Sequence, residues 1–253
     1  KTPRTRIRRV VPALVTGPIN PLIMTDSKSK TKTETFKKVT TAVYRALSEI
    51  PVSDVKFTSK SVPDGAQDYE SCLHPLLPDP GPSLSRRSKA RLRGEADNRA
   101  MLLRYNNRKI HSDNAPDNIQ GSEIFDTLEQ ARCESIGILE MRGVAQNLKH
   151  HLREKFKNNP YDPGQGPEEN EISEALHVLA RSVFTGEKLP KNARIMLQNW
   201  SGWFEAREIE TLMQDLSCHL QDQARFAQTS KKLIQKLDLE MQEGDDTESE
   251  NDQ

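Results

Sequence analysis

Glu174 and His177 stand three residues apart, an E-x-x-H spacing that sets a carboxylate and an imidazole on one face of a helix. Carboxylate-bridged di-metal bundles use that pair twice. Only one copy is present, so two ordinary helix side chains are preferred to a ligand pair. His150 and His151 are neighbours, and on a helix they point about 100° apart, too far to grip one ion together. Cys72-x-His74 and Cys218-His219 lack the C-x-x-C partners of a zinc site. Asp215-Leu-Ser217-Cys-His219 approaches the D-x-S-x-S pattern of a metal-ion-dependent adhesion site, where an aspartate and two hydroxyls hold Mg²⁺. It fails at its last position and sits in a helical pattern rather than after a buried strand. Thr185-Gly186-Glu187-Lys188 is the nearest approach to a phosphate loop, but it lacks the earlier glycine and the following hydroxyl. Gly186 therefore reads as a helix C-cap. There is no G-x-S-x-G element. No residue is assigned as catalytic, cofactor-binding or metal-ligating.

Two clusters could make contacts instead. Arg86, Arg87, Lys89, Arg91 and Arg93 could meet phosphate backbones. Only Tyr105 is near enough to stack on a base, and the acidic tail would repel nucleic acid. A solvated helix face is the simpler reading. A helical scaffold or nucleic-acid-binding adaptor using the face from Arg86 to Lys109 stays as the alternative function. Trp200, Trp203 and Phe204 fall within five residues, although aromatics make up only 5% of the chain. Core packing at a helix junction explains such a cluster. So does a partner surface, because Trp is enriched at binding hot spots. These three rings are the candidate partner contact.

The elements that must position these residues are amphipathic helices. Phe36, Val39, Val43, Leu47 and Ile50 recur at spacings of three and four, predicting a helix over residues 33–50 that Pro51 ends. Residues 55–58 alternate as a short strand, and the proline-rich run 74–84 reads as an extended connector. A basic helix over 86–108 should bury Leu92, Ala96, Ala100, Leu103 and Asn107, with Gly94 its weak point. After a loop at 106–121, Ser122 can cap a helix burying Phe125, Leu128, Ala131 and Ile136, flanked by Arg132 and Glu134. Gly143 opens the next helix, with Val144, Leu148, Leu152 and Phe156 at strict i,i+4 spacing. Residues 158–167, with three prolines and two glycines, form a linker. Ile172, Leu176, Leu179 and Val183 mark a short helix beyond it, and one or two long helices carry Trp200 through Leu237. The fold class is mainly α, an irregular multi-helix domain with one short β element and disordered ends. A basic segment is expected over 1–32, the helical domain over 33–242, and an acidic stretch over 243–253.

Apolar residues make up 34%, and the 12 glycines among 253 residues still leave the chain short of the roughly 45–50% usual in globular domains. That predicts a thin core rather than an enzyme with a deep pocket. Net charge is zero, but charge is segregated. The first ten residues hold five bases and no acid, while eight acids and no base follow Lys236. Three scattered cysteines give no disulfide framework and suggest a reducing, cytoplasmic compartment. No apolar run is long enough to span a membrane. The first methionine is Met24, so the residues before it are expected to lie outside the folded unit.

The central run, residues 94–148, resembles the N-terminal region of the cobaltochelatase CobT subunit. The shared pieces occur in order: Ile110–His111, Ala115–Pro116, Ile124–Phe125–Asp126, Glu129–Gln130–Ala131–Arg132, Glu134, Ile136–Gly137, and the helix start Gly143–Val144–Ala145–Gln146–Asn147–Leu148. A looser likeness follows at Ala175–Leu176, Arg181, Phe184–Thr185–Gly186 and Pro190. The resemblance implies an accessory or assembly subunit of an ATP-dependent cobaltochelatase, which inserts Co²⁺ into hydrogenobyrinic acid a,c-diamide. It further implies an AAA+ ATPase subunit and a large chelating subunit as partners, with self-association open. ATP, Mg and cobalt would belong to the complex rather than to this chain. In the family the adhesion-site motif lies in a C-terminal von Willebrand factor A domain after an acidic linker. The chain enters such a stretch at residue 242, and no family catalytic or metal residue has a position in it.

Overall fold

Helices run in succession along the computed structural model, which describes the backbone of residues 21–245 except 53, 61–67, 158–160 and 162–170, with side chains from 30 to 237. The order is α1 (Pro21–Ser48), β1 (Lys56–Thr58), α2 (Tyr69–Leu73), β2 (Leu76–Pro78), α3 (Arg86–Tyr105), α4 (Arg108–Asn114), α5 (Ile119–Glu140), α6 (Arg142–Lys157), α7 (Ile172–Thr185), α8 (Lys191–Ala206), α9 (Ile209–Ser217) and α10 (Gln223–Asp245). The mainly α class stands. The expected end segments and the linker over 158–167 fall largely outside the described residues. α1, however, begins at Pro21, a dozen residues ahead of the helix read from the apolar spacing.

The expected strand has a partner. β1 pairs in parallel with β2, Lys56 opposite Leu76 and Thr58 opposite Pro78. β2 comes from the run read as a connector. Its prolines hid it, but a two-stranded ladder tolerates them at an edge. Asp79 N donates to Thr58 O at 2.7 Å and continues the ladder past Pro78.

Helix starts depend on single asparagines that were not singled out as caps. The loop expected at 106–121 contains α4, because Asn107 Oδ1 accepts from the amides of Lys109 and Ile110. Asn107 is consequently exposed rather than part of the buried face of α3. Asn118, not Ser122, caps α5 by accepting from Gly121 N. At the far end, three helices replace the expected one or two. Glu208 stands in the left-handed region at φ +52° and breaks the chain between α8 and α9.

Gly94 is a contact point rather than a weak point. A Cβ there would stand 2.5 Å from His151 Cβ and 3.1 Å from Asn147 O, so its hydrogen lets α3 press onto α6. Gly94→Ala gains up to about 1 kcal/mol of helix propensity. It must also separate two backbones, an overpacking cost of typically 1–3 kcal/mol. A net loss of stability in urea unfolding is the expected result. A more stable variant would show that the contact yields freely.

α5 runs between two apolar clusters. Ile124, Phe125, Leu128 and Ala131 join α7, α8, α9 and α10 in the larger one. Cys133, with Ile138 and Met141 beside it, joins α1, α2, β2 and α3 in the smaller. Val144 and Leu148 of α6 enter the smaller cluster, while Leu152 and Phe156 enter the larger. Along much of α5 a polar layer separates them.

A buried polar seam as the candidate functional site

Arg132 and Glu134, expected at the flank of the α5 apolar face, are both fully inside. Arg132 grips Glu129 with two bonds of 2.8 Å, Nε to one carboxylate oxygen and Nη2 to the other. Its remaining donors reach Leu220 O at 2.8 Å and Tyr105 O at 2.6 Å, tying α5 to the end of α3 and to the turn between α9 and α10. That fork geometry is particular to guanidinium.

Glu134 centres the second group. It accepts from Arg181 Nη1 at 3.0 Å and from Gln130 Nε2 at 3.1 Å, and lies 3.2 Å from His177 Nε2. Gln130 also donates to Asn98 of α3, and Arg181 Nη2 donates to Glu187 beyond α7. Burial alone would push the Glu134 carboxyl up. The positive partners His177 and Arg181, with hydrogen bonds from His177 and Gln130, outweigh burial and hold it well below the usual carboxylate range. On α3, Glu95 pairs with Arg99 at 2.7 Å, and Asp97 accepts from Asn147 Nδ2 of α6 at 2.8 Å. Most of the polar groups in the seam meet partners within it, although Gln130 Oε1 and Arg181 Nε are buried without one among the described residues, and these contacts register the helices against each other.

The residues singled out for possible chemistry go to different places. Glu174 pairs with Lys155 while His177 turns to Glu134, so the E-x-x-H pair shares no target. Cys72 is buried, and burial pushes its thiol up to about 12, leaving it protonated. Asp215 and Ser217 lie in α9, and Gly186 caps α7 at φ +65°. Among the described residues no three His, Cys, Asp or Glu side chains gather to hold a metal ion.

Trp200, Trp203 and Phe204 do come together, with ring centroids 5.2–5.7 Å apart. Trp200 and Phe204 are core residues. Trp203 is half-buried, with the Arg207 guanidinium 4.0 Å over its ring. Of the three, Trp203 is the ring that reaches the surface. On the basic face of α3, Arg87 pairs with Glu154, Arg99 with Glu95, and Arg104 with Glu49, while Arg86, Arg91 and Arg93 are exposed.

A family profile described as "Cobalamin biosynthesis protein CobT" matches residues 30–253. The chain belongs to the CobT family. No solved structure matches it, and among the described residues no helix is long and apolar enough to cross a membrane. Membership gives this CobT chain a role in cobalamin biosynthesis, with cobaltochelatase as the family's setting. Several of the residues that carried the likeness are packing residues. Glu129, Gln130, Arg132 and Glu134 build the seam. Asn147 meets Asp97, and Gly137 leaves room for Met101 and Val144.

Asp97 gives the seam a pH signature. Burial is the main cause that raises its carboxyl from 3.8 to about 6, against lowering by Asn147 and Arg93. For an acid with a raised folded pKa, the native state holds its proton more tightly than the unfolded chain. The group therefore costs stability above about pH 6 and gives it back as pH falls toward 4. At neutral pH the cost is on the order of 3 kcal/mol. Asp97→Asn keeps an acceptor for Asn147 and should raise stability at pH 7 by about that amount. The gain should shrink by pH 4.5. Equal denaturation midpoints for variant and parent at pH 7 would contradict this.

Proposed function

We propose that the chain is the assembly module of an ATP-dependent cobaltochelatase. It positions an AAA+ ATPase subunit against a large chelating subunit that inserts Co²⁺, the substrate metal, into hydrogenobyrinic acid a,c-diamide. What carries this reading is where the family's signature residues lie. They interlock α3, α5, α6 and α7 through buried polar contacts, Arg132 with Tyr105 O, Asn147 with Asp97 and Arg181 with Glu134, an arrangement suited to a rigid platform. The surface proposed for the ATPase subunit is Trp203, with Arg207 stacked on it, beside the start of α9. A part-exposed Trp backed by a packed aromatic pair has the make-up of an interface anchor.

Reconstitution tests the role. Cobalt insertion by purified ATPase and chelating subunits should require this CobT protein and be restored by adding it. Insertion at the full rate without it would sink the proposal. The alternative, a nucleic-acid adaptor, predicts a mobility shift of duplex or RNA that weakens steeply with salt. With Phe36 under Arg93 and Tyr105 under Arg104, the rings nearest that face are already covered, and no such shift is expected.

A further inference from the structure

Thr35, Val39, Ala42, Val43 and Ala46 are all exposed on α1. Their spacing places them in one stripe along the helix, opposite the buried Thr40, Tyr44 and Ser48. Val39 is 53% exposed and Val43 45%, although both are apolar residues in a well-packed helix. A cleft runs beside each flank of the stripe. One, of about 680 Å³, lies between Phe36 and Val39 on one wall and Leu84, Lys89 and Arg93 on the other. The second, of about 460 Å³, is bordered by Ala42, Val55 and Phe57. The walls are held in place. Lys37 pairs with Asp79 at 2.7 Å, and Thr33 Oγ1 donates to Gly81 O at 3.3 Å.

The charge around this face has one sign left over. Glu34 and Asp79 are both engaged by Lys37, and Asp54 faces Arg45. Lys32, Lys38 and Lys89 have no ion pair among the described residues. α3 begins beside the larger cleft with Arg86, Arg87 and Lys89 and no acid in its first turn. Cations there oppose the positive end of the helix dipole, an arrangement that an anionic neighbour relieves.

We propose that this face docks an acidic amphipathic helix of a partner protein. Its apolar side lies along Val39 and Val43, and its carboxylates meet Lys32, Lys38 and Lys89. Helix-in-groove recognition needs an apolar track with i,i+4 spacing, and the stripe supplies it. Two valines are too small an anchor for a bilayer, whose binding surfaces use Trp, Phe and Leu. Nucleic acid would need a free stacking ring, and Phe36 already lies under the Arg93 guanidinium at 5.3 Å. Residues 243–253 of this chain bring acids but no apolar side chain to fill the stripe.

The test uses the full chain and a fluorescein-labelled 18-residue helical peptide, with leucines along one side and glutamates flanking them. Its match carries lysines in place of the glutamates. The glutamate peptide should bind at least tenfold more tightly than the lysine peptide. Val39→Glu/Val43→Glu should weaken it at least tenfold while the circular dichroism spectrum stays unchanged. Should that variant lose structure, Lys32→Glu/Lys89→Glu must show the same loss of binding. Four results overturn the proposal: equal binding of both peptides, binding indifferent to the substitutions, a 243–253 peptide that competes as well as the model helix, or preference of the face for anionic vesicles or RNA.

Discussion

Arg181→Met should lower the stability of the domain by about 3–5 kcal/mol, the range for breaking a buried ion pair on one side. Arg181 is 1% exposed and joins Glu134 of α5 to Glu187 beyond α7. Methionine fills most of the volume, so the loss is electrostatic rather than a cavity. Glu134 would remain buried with His177 and Gln130 alone. Replacing both partners removes the stranded charge, so Glu134→Gln/Arg181→Met should recover much of the loss. The pH dependence has a fixed sign. Glu134 is held below its ordinary 4.5, chiefly because His177 and Arg181 outweigh burial. The stability it contributes is present above about pH 4.5 and is lost as pH falls below that. The Arg181 variant should therefore lose part of the parent's acid-induced destabilisation. Urea unfolding at pH 7 and pH 4 measures both effects, and a variant with the parent's midpoints would refute the pairing.

Trp200→Ala should cost a similar amount, about 3–5 kcal/mol, for a different reason. The ring is 3% exposed and stacks on Phe204 at 5.6 Å within the larger apolar cluster, so its removal leaves a cavity. Its indole Nε1 is buried with no hydrogen-bond partner among the described residues. Leaving that donor unmade already costs roughly 1–3 kcal/mol. Trp200→Phe therefore gives up ring area but sheds a stranded donor, and should be much milder than Trp200→Ala. Thermal unfolding of the two variants separates these contributions. Equal losses for Phe and Ala would mean that the indole nitrogen is satisfied after all.

The apolar arithmetic of this chain was legible because helices report their buried side at fixed spacing. Val144, Leu148, Leu152 and Phe156 are all buried as their i,i+4 pattern requires. Phe125, Leu128, Ala131 and Ile136 are buried likewise. Gly186 caps its helix at φ +65°, the left-handed position that its C-cap reading requires. The seam was not legible, because charge on a helix normally signals a solvated side. Arg132 and Glu134 are buried only because partners arrive from elsewhere: Tyr105 and Leu220 for one, His177 and Arg181 for the other. One local signal was available. Glu95 with Arg99 at i,i+4, and Glu129 with Arg132 at i,i+3, are spaced as intrahelical pairs. β2 was hidden by its prolines and needed β1 beside it to form. Of the aromatic cluster, the spacing put three rings within five residues but did not say which of them would face outward. Burial of Trp200 and Phe204 leaves Trp203 in that position.

A direct binding measurement tests the proposed role of this CobT chain in holding an AAA+ subunit. The chain is immobilised by one terminus and titrated with the purified ATPase subunit in the presence of nucleotide. Binding should be saturable, and Trp203→Ala should weaken it by about 2 kcal/mol, roughly thirtyfold, without changing the variant's thermal midpoint by more than a few degrees. No detectable association between the parent chain and the ATPase subunit would contradict that role.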